Sequence, residues 1–170
     1  MAWSDFGVTR FILPTASTAA AERRLRRRAP AAEPGSPPPP IAETLPRAKR
    51  YFAGEPTDFC EIPLDLRDED PFFAQIYDAL RRVGWGQTTT YGALAAAVGA
   101  SREAARDVGQ VMAKNPMPLL IPCHRVLAAG GKLGGFSARG GAHTKLKLLT
   151  IEGAPVATAA QSDLFGGAAA

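Results

Sequence analysis

Cysteine is nearly absent from this chain. Cys60 and Cys123 are the only two, and neither belongs to a Cys-x-x-Cys pair or a Cys/His cluster of zinc-site spacing, which argues against a structural metal site. Long apolar runs are missing as well. No stretch approaches the 18 or more residues that span a bilayer, and Met1 to Arg10 lack a basic segment followed by an apolar one, so neither membrane insertion nor secretion is expected. A reducing cytoplasm fits best. Neither sign of charge dominates: 20 basic against 16 acidic residues leave +4, and the pI near 9.4 agrees with a polyanionic partner without requiring one. Much of that excess is one cluster, Arg23, Arg24, Arg26, Arg27 and Arg28. What is abundant is proline, 15 residues, against an average near 5%. At 46% hydrophobic and 21% charged the composition is otherwise that of a soluble globular protein. The 170 residues suit one ordinary domain, or a small N-terminal domain packed on a second core of roughly 90 residues.

Phe6 to Leu13 alternates enough to read as a strand stopped by Pro14, after which Ser17 can cap a helix over Thr18 to Arg28. From about 29 to 47 the surplus proline predicts an extended connector unable to sustain helix or sheet bonding. Tyr51 to Gly54 and Phe59 to Leu64 resemble short strand-like pieces, with Cys60 filling an apolar position as an inert small hydrophobe.

A second region opens at Asp70-Pro71, an N-cap followed by proline at the first helical position, and Phe72, Phe73, Ile76, Leu80 and Val83 give that helix an apolar face. Gly84 to Gly86 end it. Thr90 can cap a short helix, Tyr91 to Val98; Gly99-Ala100 make a turn; Ser101 can cap a further helix to about Lys114, stopped by Asn115-Pro116. Two short helices joined by a glycine turn suggest a helix-turn-helix. The second carries Ala104, Ala105 and Gly109, small residues that let a helix approach another surface closely. The apolar run Leu119-Leu120-Ile121 then delivers the chain to Pro122-Cys123-His124-Arg125-Val126. The glycine-rich stretch from Ala128 to Gly141 must bend sharply or approach a ligand. A closing helix, about Thr144 to Ile151, ends at Glu152-Gly153, and residues 154–170 read as a mobile tail.

A thiol is a strong nucleophile only as thiolate, and histidine is the usual partner that removes its proton near neutral pH. Cys123 and His124 are adjacent, and neighbours on an extended strand point to opposite faces, so direct contact requires a turn here. Read whole, Asn115-Pro116-Met117-Pro118-Leu119-Leu120-Ile121-Pro122-Cys123-His124-Arg125-Val126 resembles the active-site signature of the O6-alkylguanine-DNA alkyltransferases. The similarity extends upstream through Thr90-Tyr91-Gly92 and Ala105 to Gly109, and downstream through Gly134 to Ser137 and Glu152-Gly153.

That resemblance implies a ribonuclease H-like α/β N-terminal domain over 1–66, a mainly helical, winged-helix-like catalytic and DNA-binding domain over 67–153, and the tail. It implies that Cys123 accepts the alkyl group irreversibly, that His124 takes its proton, through a water if necessary, that Glu152 orients the imidazole, and that Asn115 holds the turn before the cysteine. Arg106 would replace the flipped base in the stack, with Ala104, Ala105 and Gly109 against the minor groove, while Tyr91 would disturb the backbone and protonate guanine. Val126, Phe136, Ser137 and Met112 would line the alkylguanine pocket, and Arg125 would support the site. Phe136 stands where the best-known members have tyrosine, which leaves the range of alkyl groups open.

The implied partner is double-stranded DNA containing O6-alkylguanine, bound by a cytoplasmic monomer with no cofactor and no metal; clustering along DNA and activity on O4-alkylthymine stay open. A sister group lacks the cysteine and only binds alkylated DNA. Two rivals of other classes are a helix-turn-helix transcription factor with a structural Cys123, and a cysteine hydrolase that turns over.

Overall fold

The computed structural model describes residues 1–101 and 104–156; of the expected tail, 157–170 lie outside the described residues. The chain opens with an antiparallel hairpin, β1 (Ala2–Ser4) and β2 (Gly7–Arg10), in which Trp3 pairs with Val8. The expected strand is therefore only Gly7–Arg10, paired with an unforeseen strand before it, and Phe11 to Leu13 lie outside it. Gly7 has φ +152° and a Cβ there would stand 2.5 Å from the Pro63 carbonyl oxygen, so only glycine lets the hairpin approach the segment before the second region. Val8 N–H donates to Pro63 O and Asp65 N–H to Val8 O, both at 2.9 Å.

Helix α1 (Thr18–Arg28) begins as the sequence predicts, with the Ser17 side chain accepting from Ala20 N–H. The proline-rich connector is a correction. Within it the structure holds α2 (Pro39–Ala42) and the start of α3 (Thr44–Phe52). Pro39, Pro40 and Pro46 all fall in first turns, where no intrahelical partner for an N–H exists, so their missing donors cost nothing. The α3 stripe Thr44, Ala48 and Tyr51 is buried at helical spacing. Tyr51 and Phe52 are thus helical rather than strand-like, and 59–64 is a turn with one isolated bridge, Val8 to Leu64. Cys60 is exposed, not an apolar filler: Phe59 and Ile62 take the core positions while Arg81 donates to the carbonyls of Phe59, Cys60 and Ile62.

Asp70 caps α4 (Pro71–Arg81) by accepting from Phe72 N–H, and Ile76, Tyr77 and Leu80 are buried. The strand β3 (Thr89–Thr90) leads into α5 (Tyr91–Ala97), capped by Thr90. After Gly99, at φ +72°, the chain reaches α6 (Ala105–Lys114), which starts later than the Ser101 cap predicts and has no side-chain cap. Asn115-Pro116 ends it as expected. Tyr77 Oη donates 3.0 Å to Val111 O, tying α4 to α6. A 3-10 turn, Cys123–Arg125, precedes β4 (Val126–Leu127), which pairs in parallel with β3, Thr89 beside Val126. Helix α7 (Gly141–Ile151) closes the described fold, starting three residues before the predicted position. One buried cluster draws on both ends of the chain, from Val8, Phe11 and Tyr51 to Leu80, Val111 and Leu148. Among the described residues no helix is long and apolar enough to cross a membrane.

Candidate active site around Cys123

The turn that a Cys-His contact demands is present, and its cause is upstream. Pro116 forbids another helical turn after α6, and the Asn115 amide then pins the returning chain: Nδ2 donates 2.8 Å to Ile121 O, and Oδ1 accepts from Met117 N–H at 2.9 Å. Leu119 sits at φ +86°, a left-handed conformation held by its burial and by Ile121 N–H donating to Met117 O. Cys123 follows and is buried.

His124 is fully buried and its Nε2 lies 2.7 Å from Glu152 Oε1. An ionised carboxylate only accepts, so Nε2 carries the hydrogen and Nδ1 is left as the basic nitrogen. Nδ1 has no hydrogen-bond partner among the described residues. Glu152, the first residue after α7, is held from several sides. Arg125 donates through Nε at 2.9 Å and Nη2 at 3.0 Å, Gly86 N–H at 3.3 Å, and the Tyr51 hydroxyl at 2.7 Å to Oε1. Arg125 also donates to Val83 O, which fits the supporting role inferred for it.

Two of these groups were not legible as site residues. Tyr51 comes from α3, and Trp85 packs edge-on against it at 5.1 Å. Lys145 on α7 is fully buried and donates to the carbonyls of Val126 at 2.6 Å and Gly135 at 3.2 Å, fastening the glycine-rich loop to the active-site turn. Its signal is the spacing Lys145, Leu148, Leu149, Glu152, one buried helical stripe holding two charges.

The electrostatics follow from burial. Burial pushes the Cys123 thiol up to about 11, against the lowering effects of the Asn115 hydrogen bond and the Lys145 charge. Burial lowers His124 despite Glu152. It lowers Lys145 to about 8, with Cys123 acting in the opposite sense. Burial would raise Glu152, but hydrogen bonds from His124 and Arg125 outweigh it and bring the carboxyl down to about 2. The resting site is a neutral thiol and neutral imidazole, with a buried carboxylate behind the imidazole and an ammonium near the sulfur.

A cavity of about 260 Å³ opens on Cys123, lined by Tyr91, Gly109, Met112, Ala113, Gly135, Phe136 and Ser137. Met112, Phe136 and Ser137 are thus together with the cysteine; Val126 does not line the cavity, its carbonyl being taken by Lys145. Burial and Cys123 raise Tyr91, leaving its hydroxyl a proton donor. A more open depression, which shares Tyr91 and Gly109 with this cavity, is lined also by Ala105 and Arg106 of α6. Arg106 is exposed, and a Cβ on Gly109 would meet nothing within 4 Å, so this face of α6 is open. Ala104 lies at the α6 N-cap, half-buried. Among the described residues no cluster of three His, Cys, Asp or Glu side chains is placed to hold a metal ion.

Cys123, His124 and Glu152 are all buried, and the cavity at Cys123 is walled by residues of the two short helices α5 and α6. Residues 71–154 match the family model described as the DNA-binding domain of 6-O-methylguanine DNA methyltransferase. A methylated-DNA--protein-cysteine methyltransferase of Metallosphaera sedula is 48% identical over 103 residues, 61% of this chain and 62% of that protein. A DNA base-flipping protein of Thermus thermophilus is 44% identical, over 61% of this chain and 67% of that one. The crystal structure of Mycobacterium tuberculosis OGT in complex with DNA superposes with a TM-score of 0.61 at 38% identity, over 72% of this chain and 76% of that one. The chain belongs to the 6-O-methylguanine DNA methyltransferase family, with a mixed α/β fold and a helical DNA-binding domain. Its alignment spans about three fifths of the Metallosphaera relative.

Proposed function

We propose that this protein repairs DNA by transferring the alkyl group of O6-alkylguanine to Cys123, once per molecule. The observation that carries this reading is a buried Cys123 lining a cavity that opens beside α6, followed at once by the buried His124–Glu152 pair and carried on a turn that Asn115 pins. The Cys123 proton passes to His124 Nδ1, directly or through a water. The sulfur attacks the alkyl carbon, the S–C bond forms as the C–O6 bond breaks, and the electron pair leaves on guanine, which Tyr91 protonates. Glu152 remains ionised and stabilises the imidazolium, as the third member of a triad does.

Reaching an O6 substituent inside a duplex requires the nucleotide to be extruded. In this reading α5 and α6 act as a helix-turn-helix, Ala104, Ala105 and Gly109 lie against the minor groove, Arg106 fills the vacated stack, and the base enters between Met112, Phe136, Ser137 and the Val126 backbone. The finer fold reading has two parts: a winged-helix-like domain over 67–153, and an N-terminal hairpin with α1 as a reduced ribonuclease H-like unit over 1–66. The protein works as a cytoplasmic monomer on chromosomal DNA without a cofactor.

The test is intact-protein mass after incubation with a duplex containing one O6-methylguanine. A gain of about 14 Da in the wild type and none in Cys123→Ser is expected, since methyl replaces the thiol proton. An unchanged mass with the duplex tightly bound would instead make this a base-flipping protein without transfer.

A further inference from the structure

The arginine-rich run of α1 takes no part in the alkyl transfer proposed for Cys123. Arg26 is paired with Glu22 at 2.8 Å, one turn back on the exposed side of α1. Arg24 and Arg28 do something else. Four residues apart, they share one face of α1, and both line a cavity of about 360 Å³ that also contains Arg139 from the glycine-rich loop, Ser137, Asn115 and Cys123. Cys123 and Ser137 line the alkylguanine cavity too, so the two depressions meet at the acceptor sulfur.

The charge in this second cavity is one-sided. Three guanidinium groups and no carboxylate line it. Among the described residues, no carboxylate is within ion-pair distance of Arg24, Arg28 or Arg139. Arg24 is half-buried, and its neighbours Arg28, Arg139 and Arg27 add repulsion to that burial. Cations gathered without a counter-charge, with planar donors converging on one space, form an anion site, and guanidinium geometry suits phosphate oxygens.

We propose that Arg24, Arg28 and Arg139 bind phosphates of the damaged DNA strand beside the extruded nucleotide, making α1 a second DNA-contacting element. This rests on the alkyl-transfer reading, because it is that reading which brings a strand to Cys123. An extruded nucleotide stays linked to its flanking phosphates, so a phosphate site whose wall is the acceptor cysteine lies within reach of them.

The experiment compares wild type, Arg24→Gln/Arg28→Gln, and Arg23→Gln/Arg27→Gln. The last pair loses the same charge from positions on α1 that do not line the cavity. Binding of a labelled duplex is followed by fluorescence anisotropy across a salt series, and alkyl transfer is followed with both the duplex and free O6-benzylguanine. Arg24→Gln/Arg28→Gln is expected to weaken duplex binding about tenfold or more and to flatten the log–log salt slope by about 1 to 2, since each lost phosphate contact removes about 0.9. Reaction with free O6-benzylguanine stays at the wild-type rate, which also shows that the variant is folded. Unchanged duplex binding, or an equal loss in Arg23→Gln/Arg27→Gln, overturns the site. So does protection by inorganic phosphate or pyrophosphate, lost in Arg24→Gln/Arg28→Gln while duplex affinity is unchanged, because it reassigns the cavity to a free anion. A wild type that binds the duplex but transfers nothing from either donor defeats the alkyl-transfer reading alone, since the binding arm still decides the phosphate site.

Discussion

At the scale of single residues the site is a set of buried titratable groups held by hydrogen bonds. His124 presents Nδ1 because Glu152 takes the hydrogen on Nε2, and Glu152 can do so only because Arg125, Tyr51 and Gly86 keep it ionised and oriented. The thiol rests protonated, pushed up to about 11 by burial, and the imidazole rests neutral, its value lowered by burial. Both reactive forms therefore coexist from the ordinary histidine value near 6.5 upward through neutral pH. The expected result for single-turnover transfer from O6-benzylguanine is a rate that is flat from about pH 6.5 to 8 and falls on the acid side as His124 protonates. A rate climbing tenfold per pH unit across that range would mean that solvent, not His124, makes the thiolate. The residues that set this behaviour were unequally visible. Cys123, His124, Asn115 and Glu152 stand in a contiguous signature or at its end, whereas Tyr51 reaches Glu152 across 101 positions of sequence and Lys145 looks like any helix-surface lysine until the buried stripe it shares with Leu148 and Leu149 is noticed.

At the scale of elements, what was legible was local. Ser17, Asp70 and Thr90 announce α1, α4 and α5 because a cap acts within its own first turn. Asn115-Pro116 announces the end of α6 for the same reason. Composition alone does not reveal the helices of the connector: prolines that break a helix interior are harmless at its first turn, and Ile41, Thr44, Ala48 and Tyr51 then supply burial that no local signal reveals. Cys60 lies outside because Phe59 and Ile62 occupy the core and leave Cys60 and Glu61 between them exposed. The element with the sharpest consequence is α6, which sends Val108, Val111 and Met112 inward and leaves Arg106 exposed beside an open Gly109. Arg106→Ala removes an exposed side chain, so thermal stability should change by less than about 0.5 kcal/mol. Transfer from duplex is expected to slow by tenfold or more while reaction with free O6-benzylguanine is unchanged, both read by intact mass. Equal losses with both donors would place Arg106 in folding or chemistry rather than in extrusion.

At the scale of the whole molecule the same network joins distant parts: α3 through Tyr51, the active-site turn through His124 and Arg125, the end of α4 through Val83, and the end of α7 through Glu152. Stability should then follow the protonation of its buried members. His124 binds its proton less readily folded than unfolded, so below about 6.5 the unfolded chain gains protons first and stability falls with pH. Glu152, brought from 4.5 to about 2, adds a second loss as pH falls from about 4.5 toward 2. On the alkaline side Lys145, lowered from 10.5 to about 8, makes stability rise from pH 8 upward. From about 9 Cys123, raised from 9.0 to about 11, works against it, because the unfolded thiol ionises first. The urea midpoint is expected to hold between pH 6.5 and 8, to drop below 6.5, and to drop again below 4.5. Glu152→Gln should start from a lower midpoint and lose the second drop, because no carboxyl remains to be protonated there and Arg125 is left buried without its counter-charge. A wild-type midpoint that stays level from pH 6.5 to 3 would mean that His124 and Glu152 are not the linked, buried pair that the proposed proton transfer requires.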